Sequence, residues 1–525
     1  MRKYSFLVII VLLSTTVSAQ TWTDFNDECT SVTMGKKATA DGSVRTSHTD
    51  DSHRSRTNIM MVPAQNHKAG ETVTMYRRLW DNSTKMQSYR DDSVGVIPQV
   101  AHTFAYVNTA YPCMNEKQVG IGESTIGGRS ELKSDIGLID CQRLCGLILQ
   151  RCSTARQGIL TAGELLKEYG WIDAGECLTI ADKNEVWHLE VYGPGKGNKG
   201  AVWVAQRVPD DHVAVNANAS TIKHIDTNDK NNFLYSDNIF SLAKDSGWWK
   251  EDEPFVFCYV YAPQSRTMLA CRRREWRVFD LVAPSLHLDP NAENYPFSVK
   301  PDHPVSLEEM MNIFKDYYEG TEFDMRKNIT VTNDSGKTII SPLANPFMGY
   351  DELKLHKVNG GWHALGERAI AVRFTVYGTI IQCRDWLPDE IGGLLWFALD
   401  NVASSIYVPI YCSVTSLPKE YETDARITGF SKEAAWWGFN RLGTLCAQRW
   451  GTFRKELNTH LLPLQKEFMQ QQASIEQQAL NVYNEKKPAK SIDILTKYTN
   501  QQAHKALDKA WEIGDLIWTK YDEAW

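Results

Sequence analysis

Between residues 29 and 220 the hydrophobic period changes twice, and this sequence of changes limits the folds open to the chain more than any other feature. From 29 to about 130 the text alternates in strand fashion: "CTSVTMG", a turn around Asp41-Gly42, "SVRTSHT", then "NIMMVPA" and "VGIGEST", rich in β-branched residues and broken by Gly, Asp and Asn. From about 131 to 170 apolar residues fall at three- and four-residue spacing in "LIDCQRLCGLILQRC" and "GILTAGELLKEYG", the second closing on Gly170 as a helix C-cap would. Strands return at "ECLTIAD", "EVWHLEVYG", "GAVWVAQRV" and "HVAVNANAST". Strands, two helices and strands again predict a layered α+β core with helices packed on sheets.

The remainder extends that plan. Residues 280–335 show little periodicity and five prolines, so they read as loops with a short helix at "SLEEMMNIFKDYYEG". A second β-rich block holds "GTIIQCRDWLP", "GGLLWFALD" and "SSIYVPIYCSV", and beyond about residue 431 the chain reads as helical to its end, broken at Lys486-Lys487-Pro488. These last helices are expected to pack on the domain or on a partner subunit, which allows a homo-oligomer.

The first residues speak to the compartment. Arg2 and Lys3 precede an unbroken apolar run from Phe6 to Leu13, and Val17-Ser18-Ala19 offers small residues for a signal peptidase, so residues 1–19 read as a secretory leader. The run is too short to span a bilayer, and no other stretch reaches the roughly 18 apolar residues that a membrane helix needs. An exported protein, periplasmic or secreted and without stable membrane insertion, is expected. A net charge of −7 and a pI near 6.0 argue against nucleic acid as a partner, since the densest basic run, "RRREWR" at 272–277, is broken by an acid and a tryptophan. Eleven cysteines in an exported chain allow disulfides, but the number is odd and no CxxC pair occurs, so one thiol stays free or pairs between chains.

Cys29 is the natural free thiol. It opens the first strand, nine residues after the expected leader, behind "QTWTDFNDE" at 20–28. Were the Glu28–Cys29 bond cut, the new α-amine, with an ordinary pKa of about 7.7–8.0, would sit on the same residue as the thiol and serve as its base. A turn centred near Ala40-Asp41 would set Cys29 opposite Asp51, close to His48 and Asp50. "GIGESTIGG" lacks the spacing and context of a phosphate loop, and the histidines show no ligand spacing, so neither cofactor nor metal is expected.

"CTSVTMGKKATADGSV" resembles the start of the exported dipeptidase family of cysteine N-terminal-nucleophile hydrolases, relatives of secernins, bile-salt hydrolases and penicillin V acylases. "MNEKQVGIGEST", "EVWHLEVYG" with "VWVAQRVPDDHVAVNAN", "RREWRVFDLVAPS", "WLPDEIGGLLWF" and "YVPIYC" continue the resemblance in order along most of the chain. It implies a four-layer αββα sandwich over residues 29–430 with a helical segment at 431–525. It also implies that Cys29 is a nucleophile released by autoproteolysis from a propeptide at 20–28, and that Asp51 is the orienting aspartate closing a pattern written here His48-Thr49-Asp50-Asp51. His48 replaces the family's arginine, a departure that bears on any role needing a permanent cation. Asn218 matches the oxyanion donor of the acylase relatives, Thr125 lies near a second polar pocket position, and Arg274, with Arg277 as a rival, matches the arginine that steadies the nucleophile. Catalytic roles thus fall to Cys29, Asp51, Asn218 and Arg274, and substrate contacts to His48 and Thr125. The implied activity is hydrolysis of dipeptides or other small peptides. Alternatives are an acylase on a non-peptide amide such as a bile-salt conjugate, or a non-catalytic envelope-associated protein of the same fold.

Overall fold

The computed structural model describes residues 28–349, 352 and 368–523, and for Arg266 the backbone alone. The expected leader and propeptide, up to residue 27, lie outside the described residues.

Two antiparallel sheets carry the architecture. In the first, seven strands run in the order Ser298–Val299, Val213–Asn216, Glu28–Met34, Val44–Asp51, Thr375–Cys383, Leu394–Leu399 and Val408–Tyr411. In the second, eight strands run Phe233–Tyr235, Val202–Arg207, Val186–Tyr192, Gly175–Ala181, Gly120–Gly127, Met114–Asn115, Tyr106–Asn108 and Met60–Val62. This is an α+β fold, as the period changes predict.

The sheets meet through strands Glu28–Met34 and Val44–Asp51 of the first and Gly120–Gly127 and Gly175–Ala181 of the second. Thr46 and Thr179 share a hydroxyl hydrogen bond of 2.7 Å across the gap, and Thr33 meets His188 Nε2 at 2.8 Å. Approach is close enough that a Cβ on Gly122 would fall 2.1 Å from the Ser47 carbonyl oxygen, so glycine is required there.

Helices pack on both sheets. Cys141–Arg151 and Ala155–Tyr169 lie against the second. Asp140 caps the former by accepting from the Arg143 N–H at 2.8 Å, and Gly170, at φ 78°, closes the latter as the sequence predicts. Against the first sheet pack Leu269–Val282, Trp436–Ala447 and Pro488–Glu523, the last paired with Trp450–Asn484. Thr499 donates to the Pro409 carbonyl at 3.1 Å, and Glu476 accepts from Arg384 at 2.5 Å and from the Tyr411 hydroxyl at 3.0 Å, which fixes the terminal helices to the edge of the sheet. None of the described helices is long and apolar enough to cross a membrane.

Three expectations need correction or completion. The first hairpin is paired one residue away from the predicted register: Glu28 faces Asp51, Cys29 faces Asp50 and Met34 faces Arg45 around a wide 35–43 loop instead of a tight turn. The basic run 272–277 lies within helix Leu269–Val282 with every residue buried, so it presents no basic surface. All eleven cysteines are buried free thiols.

Candidate active site

The one-residue change of register decides which side chains meet, because neighbouring residues of a strand point to opposite faces. Cys29, Asp50 and His48 share one face, while Asp51 lies on the other beside Glu28. Cys29 is 1% exposed. Its Sγ donates to Glu123 Oε1 at 3.1 Å, and His48 Nε2 contacts the same oxygen at 2.9 Å. Glu123 comes from strand Gly120–Gly127 of the second sheet, which packs against the strands that carry Cys29 and His48, and its carbonyl accepts from the Ser31 hydroxyl at 2.8 Å.

Main-chain atoms of Cys29 are held from the other side. Its N–H donates to Asn218 Oδ1 at 3.2 Å. Asn218 follows strand Val213–Asn216 in the left-handed region, φ 63°, which asparagine tolerates better than most residues, and its own N–H donates to Ser124 Oγ at 3.0 Å. The Asn218 side-chain amide donates to the Thr125 carbonyl at 2.8 Å. Arg274, fully buried on its helix, donates to the Cys29 carbonyl at 2.8 Å, the Thr30 hydroxyl at 2.9 Å and Asn218 Oδ1 at 2.8 Å. Arg277 pairs with Asp316 and Asp280 instead, so geometry separates the two rivals.

Asp51 accepts from Arg368 at 2.6 Å, Thr375 at 2.6 Å and Thr49 at 3.2 Å, and Arg368 also pairs with Glu28 at 2.7 Å. Among the residues expected at the site, Cys29, Asn218 and Arg274 are brought into direct contact. Asp51 braces the residue before Cys29 through Arg368, and its carboxylate is engaged by that arginine and two hydroxyls. Thr125 donates to Glu176 at 2.8 Å. His48, expected to contact substrate, is 2% exposed, wedged between Tyr111 and Tyr377, and its Nε2 meets Glu123.

The electrostatics follow from burial and these partners. Burial raises the Cys29 thiol well above its ordinary value, and the Glu123, Asp50 and Asp51 charges raise it further, so the sulfur holds its proton. Burial opposes charge on His48, but the Glu123 carboxylate outweighs it and His48 titrates above its usual value. Glu123 titrates low, since His48 and the hydrogen bonds from Cys29 and Glu176 outweigh its own burial. Glu176, buried beside that charge, is pushed well above the carboxylate range and stays protonated. The donor atoms of Cys29, His48 and Glu123 lie within 4.8 Å of one another, as do those of Glu123, Cys141 and Glu176, so either set has the chemistry to hold a metal ion.

A cleft of 750 Å³ opens beside the cluster, lined by Glu28, Thr125, Glu176 and Asn218 and, further out, by Arg54, Arg78, Asp173 and Arg129. Glu123, Glu176 and Arg368 escaped the sequence reading: each lies alone in its segment, and only "GIGEST" hinted at a site residue.

A buried thiol, a carboxylate and an imidazole meet behind the residues that line a cleft on an α+β frame. The sequence model of peptidase family C69 matches residues 28–462. A probable dipeptidase of Latilactobacillus sakei is 24% identical over 449 residues, covering 81% of this chain and 82% of its own. A probable dipeptidase B of Streptococcus pyogenes serotype M1 is 22% identical over 483 residues, covering 90% and 88%, and a probable dipeptidase of Salmonella dublin is 25% identical over 406 residues, covering 73% and 80%. The chain belongs to peptidase family C69.

Proposed function

We propose that this peptidase is an exported cysteine dipeptidase acting through an acyl-enzyme on Cys29, which becomes N-terminal when the chain cuts itself after Glu28. In this reading residues 1–19 are a leader and 20–28 a propeptide, the sheets and their helices form a four-layer αββα hydrolase, and the mature protein is periplasmic or secreted. The observation that carries it is the enclosure of one residue at both of its reactive ends: Asn218 and Arg274 hold its backbone, Glu123 takes its S–H, and Glu28 lies in the adjoining cleft.

Burial and the neighbouring carboxylates keep the thiol protonated, and while the Glu28–Cys29 bond is intact the Cys29 nitrogen is an amide that cannot serve as its base. Cleavage replaces it with an amine beside the sulfur. The thiol proton then passes to that amine as sulfur attacks the substrate carbonyl, and from the amine to the departing amino group as the C–N bond breaks. Water hydrolyses the thioester and restores the thiol. The Asn218 amide has a second N–H, beyond the one given to Thr125, with which to meet the oxyanion. Removing such a donor costs about 3–4 kcal/mol of barrier.

Dipeptides are favoured because the cleft carries Arg54, Arg78 and Arg129 together with Asp173, groups suited to a substrate with a charge at each end, and because the relatives named above are called probable dipeptidases. Intact-mass analysis and dipeptide hydrolysis test the proposal together. Active protein begins at Cys29, and Cys29→Ala is full-length from residue 20 and inactive; active protein that retains Glu28, or an active Cys29→Ala, overturns it.

A further inference from the structure

The hairpin Thr72–Asp81 and Ser88–Pro98 stands beside the cleft, and its register sets Trp80 opposite Tyr89, with Arg78 two residues from Trp80 and so on the same face. All three line the cleft. Facing them is Arg54, from the segment after strand Val44–Asp51, only 4% exposed.

These two arginines are held by rings and not by acids. The Arg54 guanidinium lies 4.2 Å from the centre of the Trp80 ring, and the Arg78 guanidinium sits 4.9 Å from Tyr89 and 5.0 Å from Tyr111. A guanidinium stacked on an aromatic face keeps its N–H edge free, and that edge matches the two oxygens of a carboxylate. Arg78 gives one N–H to the Tyr111 hydroxyl at 3.0 Å, while its Nη1 and the Arg54 Nε are buried without a hydrogen-bond partner among the described residues. Asp140 and Asp173 lie near enough to act on the Arg78 charge, yet neither forms an ion pair with Arg78 or Arg54 among the described residues; Asp173 accepts instead from the Cys141 N–H at 3.1 Å. Buried guanidinium N–H groups lacking an acceptor are costly unless a ligand completes them.

We infer that Arg54 and Arg78 form the receptor for the C-terminal carboxylate of the substrate, which makes them specificity residues for a peptide ending one residue past the scissile bond. This deepens the dipeptidase reading and rests on it. Its physical basis is separate, since it concerns the hairpin and its rings and not the Cys29 cluster.

The test compares L-alanyl-L-alanine with L-alanyl-L-alaninamide on the mature protein. Wild type is expected to prefer the free acid. Arg54→Gln and Arg78→Gln are each expected to lose about ten- to hundredfold in kcat/KM on the acid, chiefly through KM, and to lose several-fold less on the amide, so that the preference for the acid collapses. Lysine at either position is expected to restore part of the loss. Should a glutamine variant fail to fold, wild type alone decides through product inhibition: L-alanine is expected to compete with substrate and L-alaninamide is not. Equal losses on both substrates, no loss, or equal inhibition by both products overturns the carboxylate receptor while peptidase activity stands. Hydrolysis of neither substrate by wild type overturns the dipeptidase reading and the receptor with it.

Discussion

The Sγ of Cys29 and Oε1 of Glu123, 94 residues apart in sequence, stand 3.1 Å from each other, and the same oxygen lies 2.9 Å from His48 Nε2. A thiol that donates to a carboxylate has its hydrogen directed and its sulfur oriented, and the imidazolium keeps the carboxylate ionised for that task. The cation that His48 supplies depends in turn on Glu123.

Glu123→Gln keeps the volume and removes the charge. Under the proposed mechanism, where the amine is the base and Glu123 orients the sulfur, it slows both self-cleavage after Glu28 and dipeptide turnover, with kcat down by about a hundredfold, as a misplaced reacting group costs. A time course of intact mass and steady-state kinetics measure the two effects. Unchanged rates in both would remove Glu123 from the chemistry.

The His48–Glu123 pair also makes stability depend on pH. His48 titrates above its ordinary 6.5 in the folded chain, so its contribution is complete below pH 6.5 and is lost as pH rises through the folded value. Glu123 titrates below its ordinary 4.5, so its contribution is complete above pH 4.5 and is lost as pH falls through the folded value. The Tm difference between wild type and His48→Gln is therefore greatest between pH 4.5 and 6.5 and narrows on both sides. A difference that stays constant from pH 4 to 9 contradicts the pairing.

Arg368 and Asp51 form a buried pair at 2.6 Å. Removing one member leaves the other uncompensated, which costs about 3–5 kcal/mol. Arg368→Leu and Asp51→Asn each lower the urea midpoint by a corresponding amount, while the double variant loses less than their sum. Strict additivity in the double-mutant cycle would show that the two charges are not coupled.

Gly122→Ala tests the closeness of the sheets. The added Cβ would lie 2.1 Å from the Ser47 carbonyl oxygen, a backbone atom that cannot swing aside, and the loss is about 1–3 kcal/mol or more. Gly146→Ala is the contrast: its Cβ would meet only Pro112 at 3.8 Å, in the middle of helix Cys141–Arg151, where alanine gains up to about 1 kcal/mol. Thermal melts of both variants should move in opposite directions.

The sequence by itself determined the α+β class, the approximate spans of the strands and helices between 29 and 220, and Cys29 as the first strand's exceptional residue. Those properties are local, because period, caps and strand ends are written in consecutive residues such as Asp140 and Gly170. The tertiary structure alone decided that Cys29 faces Asp50 and not Asp51, since register depends on how a wide loop and two partner strands settle. It also decided that Glu123, and neither Asp51 nor a second thiol, meets the sulfur, and that Arg274 rather than Arg277 reaches its backbone. Contacts of this kind join residues tens to hundreds of positions apart. They are set by which side chains the stacked sheets and the helices on them bring together in a space that excludes water, where an unmatched charge is too costly to remain.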